Sequence, residues 1–397
     1  MATASENSVL LRGARIIAPD YRLERGSILI RGGRIAQVSD SEISPKSAAD
    51  SILDLSGLNL FPGFIDIHIH GAVGIDVMTA SAEDLRRASQ FLAERGVTGW
   101  LPTLVPAART EYESAVQAIQ QLISEQTAAV DARGGARVLG VHYEGPFVST
   151  EQCGALHSDY FQTFSGSELD SLPTPELSRA RLITVAPEIK GGVDLVRELK
   201  RRGWIISIGH TRADAALLDQ AHEAGAQHMT HFMNAMPPLH HRSPGPVAWG
   251  LMRDDVTCDF IADGVHLDPL MLRLLVKLKG PMRLVLISDA IAACGMGDGE
   301  YQIWGEIITV KDGRTSNSHG TIAGSVISLL DAVRMMLSLG IAEVDVARMA
   351  ATNPARLLGL ANETGSIEEG KRADLVALDR NGNVVLTLVG GVVAYQR

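Results

Sequence analysis

Between residues 63 and 289 the sequence alternates short apolar runs with amphipathic ones, and this rhythm restricts the fold more than any other property of the chain. Strand patterns lie at 63–70, 98–103, 138–144, 182–187, 204–210, 227–231, 256–261 and 284–289. Helical periodicity covers Ala82–Arg95, Thr110–Glu125, Val193–Arg202, Ala213–Glu223 and Asp268–Lys279, and Val326–Leu339 follows the eighth strand. Strands joined through helices run parallel, and eight such strands predict an α/β fold closed as a TIM-like (β/α)8 barrel. Both chain ends read as sheet instead. Val9–Ile17, Gly26–Ile30 and Arg34–Val38 precede the alternation; Ala373–Asp379 and Val384–Tyr395 follow it and flank the hairpin pair Asn381-Gly382. Residues 290–324 are Gly-rich and read as an elaborated loop with a hairpin.

Composition removes several function classes. The 46 acidic and 36 basic side chains give a net charge of −10, against a general nucleic-acid binder, which needs a basic stripe. With 46% hydrophobic residues the chain can bury a large core, so disorder is excluded. Cysteines at 153, 258 and 294 form neither a disulfide framework nor zinc-ribbon spacing; Cys258 and Cys294 read as small apolar residues, and Cys153 as a loop residue near Glu144 without a catalytic role. No apolar run reaches membrane-spanning length. The opening MATASENSVLL has neither a basic nor an apolar leader pattern. A cytoplasmic location without membrane or nucleic-acid partners is the expectation.

A barrel places its chemistry at the C-terminal ends of its strands, and here six of eight ends carry His, Glu or Asp. The first ends Asp66-Ile67-His68-Ile69-His70, the third on Glu144, the fifth on His210, the sixth on His231 and the eighth on Asp289; Asp263 and His266 follow the seventh. Strand alternation puts Asp66, His68 and His70 on one face and Ile65, Ile67 and Ile69 on the other. Two imidazoles at a barrel mouth suit a transition metal. Glu144, His210 and His231 come from three strand ends and form a three-ligand catalytic metal site. Asp289 is the acid/base: a carboxylate beside an activated water can take its proton and deliver it to a leaving amine. His142 shares the inward face with Glu144, whereas His228 is offset from His231 and faces away. His222 reads as an exposed helical residue; His240, His241 and His319 fall in loops.

PGFIDIHIHG at 62–71, EGPF at 144–147, GHT at 209–211, THFMNAM at 230–236, ADGVH at 262–266, SDA at 288–290 and GTIAGS at 320–325 occur in this order. The set resembles the N-acetylglucosamine-6-phosphate deacetylase family of the amidohydrolase superfamily, across nearly the whole chain. NPARLLGL at 353–360 and GSIEEGKRADLVALD at 365–379 resemble the superfamily's C-terminus more broadly. The resemblance implies two domains: a β-sandwich from 1–57 plus 358–397, and a metal-dependent barrel over 58–357. It implies that Glu144, His210 and His231 bind the main metal, that His68 and His70 bind a second, and that Asp289 is the acid/base. It places His266, Asn234, Ala235 and Arg242 on a sugar phosphate. The family's Gly-Ala-His/Gln pattern is altered to Gly154-Ala155-Leu156-His157, so His157 sits one place late for contacting the acetyl carbonyl.

The implied reaction is metal-dependent hydrolysis of the acetamido group of N-acetyl-D-glucosamine 6-phosphate to glucosamine 6-phosphate and acetate. One or two divalent ions per subunit are implied, zinc first; iron, manganese and cobalt suit the same ligands. A homodimer is implied, with a phosphate-binding Arg reaching a neighbouring subunit. The alternatives are an N-acetylgalactosamine 6-phosphate or other N-acyl substrate, and a non-catalytic scaffold, which would be expected to lose metal ligands.

Overall fold

Eight parallel strands wind into a barrel: β1 (Phe64–Ile69), β2 (Val97–Leu104), β3 (Gly140–Glu144), β4 (Ala180–Val185), β5 (Ile205–Ile208), β6 (His228–Met229), β7 (Thr257–Ile261) and β8 (Leu284–Ile287). This computed structural model describes residues 8–41, 43, 49–128 and 135–397. Residues 1–7, on which the reading of the opening segment falls, lie outside the described residues. Neighbouring strands pair in parallel from β1 through β8. Between β8 and β1 the seam is joined just beyond the strand ends. The Asp289 N–H donates to the His68 carbonyl (2.9 Å), and the His70 N–H to the Ala290 carbonyl (2.8 Å).

The helices lie where apolar periodicity and capping residues coincide. Those of eight residues or more are α1 (Ala82–Glu94), α2 (Arg109–Ala128), α3 (Gly192–Arg201), α4 (Ala215–Ala224), α5 (Gly245–Met252), α6 (Pro269–Lys279) and α7 (Leu329–Ser338). Reciprocal Ser–Asp caps start α1 (Ser81 with Asp84) and α7 (Ser328 with Asp331), and Asp214 and Asp268 cap α4 and α6. The helix α5 has no counterpart in the sequence reading. Its residues Val247, Trp249 and Gly250 are buried and it has no charged side chain, so no polar stripe marks a period. Between β3 and β4 the chain makes three short 3-10 turns instead of a helix.

Two apolar layers result. One fills the space between strands and helices, with Trp100, Phe260, Leu92, Ile119 and Leu272 among its members. The other closes the barrel floor with Ile65, Ile67, Leu101, Leu182, Val285 and Ile287 against Leu358 and Leu360. The expected alternation along β1 fails here. Ile65 and Ile67 join the floor, but Ile69 joins the outer layer. The cause is a bulge: Asp66 pairs with Trp100 while Ile69 pairs with Pro102, three residues against two. Such an irregularity re-aims the side chains that follow it.

The chain ends form one eight-stranded sheet. Asn59–Pro62 lies in it between Ser8–Ile17 and Leu375–Leu378, tying the two termini together. The expected single run over Val384–Tyr395 is two strands, Val384–Val389 and Val392–Gln396, turned at Gly390 and Gly391, both at positive φ. Beyond β8 stands a separate three-stranded antiparallel unit, Gly299–Ile303, Glu306–Lys311 and Arg314–Ser316.

Candidate active site

At the C-terminal mouth of the barrel, six side chains from five strand ends converge. Glu144, His210 and His231 form one group; His68, His70 and Asp289 form another, the ligating atoms within each group lying within 4.8 Å of one another. All six are buried. Glu144 Oε1 lies 2.9 Å from Nε2 of both His210 and His231, and its Oε2 lies 3.2 Å from His70 Nε2. Asp289 Oδ1 lies 3.4 Å from His68 Nε2 and 3.3 Å from His70 Nε2.

The proton arrangement fits a cation. His210 Nδ1–H donates to the Gln152 carbonyl (2.7 Å) and His70 Nδ1–H to the Thr103 carbonyl (3.2 Å). A carbonyl only accepts, so Nδ1 carries a proton on each ring, and a ring with no second proton presents the bare lone pair of Nε2 to the cluster. That lone pair on His210 then faces a carboxylate oxygen at 2.9 Å and another Nε2 at 3.0 Å. Such crowding is repulsive unless positive charge sits between. Burial disfavours charged imidazoles, yet Asp289 and Glu144 outweigh it and push His70 up to about 10, and Glu144 pushes His231 up to about 9. The cluster therefore calls for protons or a metal ion, and acidification favours the protons. Burial alone would raise both carboxyls, but the imidazoles hold Glu144 well below, and Asp289 below, the usual carboxylate range.

Three of the six sit on backbone that side-chain-bearing residues rarely adopt: His210 (φ +47°), His231 (φ +28°) and Asp289 (φ +51°). Positive φ turns each side chain off its strand end into the mouth. His231 is braced from below. Its N–H donates to Asp259 Oδ1, whose Oδ2 accepts from His228 Nε2–H (2.9 Å). His228 is thus buried in the barrel as part of this brace rather than facing away. Asp259→Ala is expected to weaken metal binding about ten- to hundredfold by releasing the strained His231 backbone; competition against a chelating dye measures it. Unchanged affinity would show that the brace is dispensable.

His142 packs edge-on to His68, with ring centroids 4.6 Å apart, and bonds the Ile67 carbonyl and the Thr184 hydroxyl. Burial holds its pKa well below the ordinary value, so the ring under the cluster is neutral. His222 is half-buried rather than exposed, bonded to Asp255 (2.8 Å).

A cavity of about 240 Å³ opens over the cluster. Of the sequence candidates, His70, Glu144, His210, His231, Asp289, Asn234, Ala235, His266 and Ala155 line it. The Asn234 amide nitrogen is buried without a partner, a donor free for a ligand. His266 gives Nδ1 to Asp263 (2.7 Å), which leaves Nε2 available. His157 does not line the cavity; it bonds the Trp304 carbonyl (2.8 Å). Arg242 lies outside too, exposed on the loop after β6 against His241 (2.7 Å). No Lys or Arg is among the lining residues. Trp304 is a lining residue that strand-end reasoning missed, because it comes from the unit beyond β8. Thr321, Ile322 and Gly324 line it as well, and their GTIAGS segment was the available signal.

A model of the amidohydrolase family matches residues 59–394. The N-acetylglucosamine-6-phosphate deacetylase of Bacillus subtilis (strain 168) is 35% identical, covering 98% of this chain and 97% of its own. The N-acetylgalactosamine-6-phosphate deacetylase of Escherichia coli O157:H7 is 34% identical, covering 97% of this chain and 99% of its own. A mutant N-acetyl-D-glucosamine-6-phosphate deacetylase of Mycobacterium smegmatis, solved in complex with N-acetyl-D-glucosamine-6-phosphate, superposes with a TM-score of 0.85 at 30% identity, covering 98% of this chain and 100% of its own. No helix among the described residues is long and apolar enough to cross a membrane.

Proposed function

The chain belongs to the amidohydrolase family, and from that premise we propose that it hydrolyses the acetamido group of N-acetyl-D-glucosamine 6-phosphate to glucosamine 6-phosphate and acetate. The observation that carries this reading is the pair of buried His/carboxylate groups facing one cavity. In this reading the catalytic unit spans 58–357 and the residues 1–57 with 358–397 form its companion, whose sheet also takes in the strand Asn59–Pro62.

Glu144, His210 and His231 would hold the main divalent ion, and His68 with His70 a second, zinc being the first choice for such ligands. A metal bound there supplies Lewis acidity and lowers the pKa of water towards about 7. Asp289, ionised across the neutral range, takes a proton from the attacking water. The water oxygen joins the acyl carbon, the C–N bond breaks, and Asp289 returns the proton to the departing amine. Ala155 borders the acetyl end. The unpaired Asn234 amide, the Ala235 backbone and His266 bind towards the phosphate.

The phosphate still lacks a fixed positive charge, since no Lys or Arg lines the cavity. We assign that role to Arg242 of a second copy in a homodimer. The exposed stripe Leu270, Leu274 and Leu278 on α6, with Met252 beside it in sequence at the end of α5, supports such pairing. The reading fits a cytoplasmic step of amino-sugar catabolism.

Arg242→Ala is expected to raise KM for the phosphorylated sugar about ten- to hundredfold, the worth of one charge-assisted bond. KM for unphosphorylated N-acetylglucosamine should stay as it was. Equal effects on both sugars would remove Arg242 from the phosphate. The Escherichia coli relative favours one second reading, the galactosamine epimer. Amine release from both 6-phosphates decides: higher kcat/KM on galactosamine changes the substrate and keeps the chemistry, while no release from either overturns the function.

A further inference from the structure

We propose that Trp304 sets the size of the acyl group the site accepts, and that His157 is the positioning residue that holds Trp304 there. The proposal rests on the deacetylase reading above. Trp304 is the only aromatic carbocycle among the cavity-lining residues, and its ring stands edge-on to His70 with centroids 5.1 Å apart. The scissile carbonyl has to reach the cluster of His70 and Asp289. The sugar ring carries hydroxyls and a phosphate, so the acyl tail is the one apolar part of the substrate. Ala155, Leu156 and Ile322 also line the cavity, but the indole is the largest apolar surface there and packs on a metal-type ligand, so we place the end of the tail against it.

Trp304 is built as a stop. It sits at the tip of the hairpin between Gly299–Ile303 and Glu306–Lys311, in a two-residue turn with Gly305. Both turn residues have positive φ, +52° at Trp304 and +80° at Gly305. Asn or Asp normally fills the first position of such a turn, and a bulky residue there is sterically disfavoured. Two features hold it. The hairpin buries Ile303, Ile308 and Val310 against Ile291, Ala292 and Ala293, with Ala155 packed on the same cluster. His157 Nε2–H donates to the Trp304 carbonyl at 2.8 Å, pinning the strained peptide. One extra methylene against a rigid apolar wall changes discrimination by about ten- to two-hundredfold.

The test is kcat/KM for the N-acetyl, N-propanoyl and N-butanoyl amides of glucosamine 6-phosphate, with metal content measured on every variant. Trp304→Ala should raise the butanoyl-to-acetyl ratio at least about tenfold. Trp304→Phe, which keeps an aromatic ring, should raise it less. His157→Ala should shift the ratio in the same direction, and His157→Gln, whose amide can donate to the same carbonyl, should restore it. A variant that slows all three amides alike at full metal content, leaving the ratio unchanged, overturns the proposal. Should the Ala variant fail to fold, an unchanged ratio in Trp304→Phe does the same. Wild-type protein inactive on the acetyl amide would count against the deacetylase reading itself, before any variant is made.

Discussion

Asp289→Asn should lower kcat at least about a hundredfold while the ion at Glu144, His210 and His231 is retained. Asn has the same shape, so the Asp289 N–H bond to the His68 carbonyl and the left-handed backbone are kept. What is lost is the ability to accept and return a proton. The Glu144–His210–His231 group does not include Asp289, so the main ion should remain. The pH dependence follows from the sign of the shift. His68 and His70 outweigh burial and hold the Asp289 carboxyl below its usual range. The base is therefore ionised at neutral pH, and its contribution to kcat/KM falls only as pH drops through that lowered value. Turnover by the Asn variant close to wild type, with metal bound, would take Asp289 out of the proton path.

Glu144→Ala should have the larger effect. This carboxylate touches both groups: one oxygen lies against His210 and His231, the other against His70. Its removal deletes a ligand and most of the negative charge that offsets a buried dication. The variant should come off dialysis with little metal, and turnover should fall at least about a thousandfold, since several kcal/mol of transition-state stabilisation leave with the ion. Chelation of the wild type should give the same loss. Added zinc should restore the chelated wild type and not the variant. Full metal and full turnover in the variant would refute the assignment.

The strand ends were legible because a parallel barrel concentrates polar side chains at one rim, and apolar strands that stop on His, Glu and Asp stand out against that background. The eight strands and six helices were legible from period alone. The misses have physical causes. The helix α5 is apolar on all sides and has no period to read. The bulge in β1 adds one residue to a ladder, which no strand pattern records. Trp304 approaches the cavity from a unit outside the barrel, and Arg242 belongs to an exposed loop, so neither position follows from strand order. His157 looks like a displaced active-site histidine in sequence; only its 2.8 Å bond to the Trp304 carbonyl gives it another task.

The barrel seam bears on how the molecule comes to be active. His68 and His70 stand at the end of the first strand and Asp289 follows the last, and the bond from Ser288 to Asp66 spans 222 residues of sequence. Joining ends so far apart carries a loop-closure cost that the local strand–helix units do not share. A chain wound through seven strands can already own the Glu144, His210 and His231 ligands, yet it has no proton carrier beside them. Competence therefore requires the ring to be closed, since only then does Asp289 stand beside His68 and His70. Anything that pries the first strand from the eighth would part Asp289 from His68 and His70 and so switch the chemistry off.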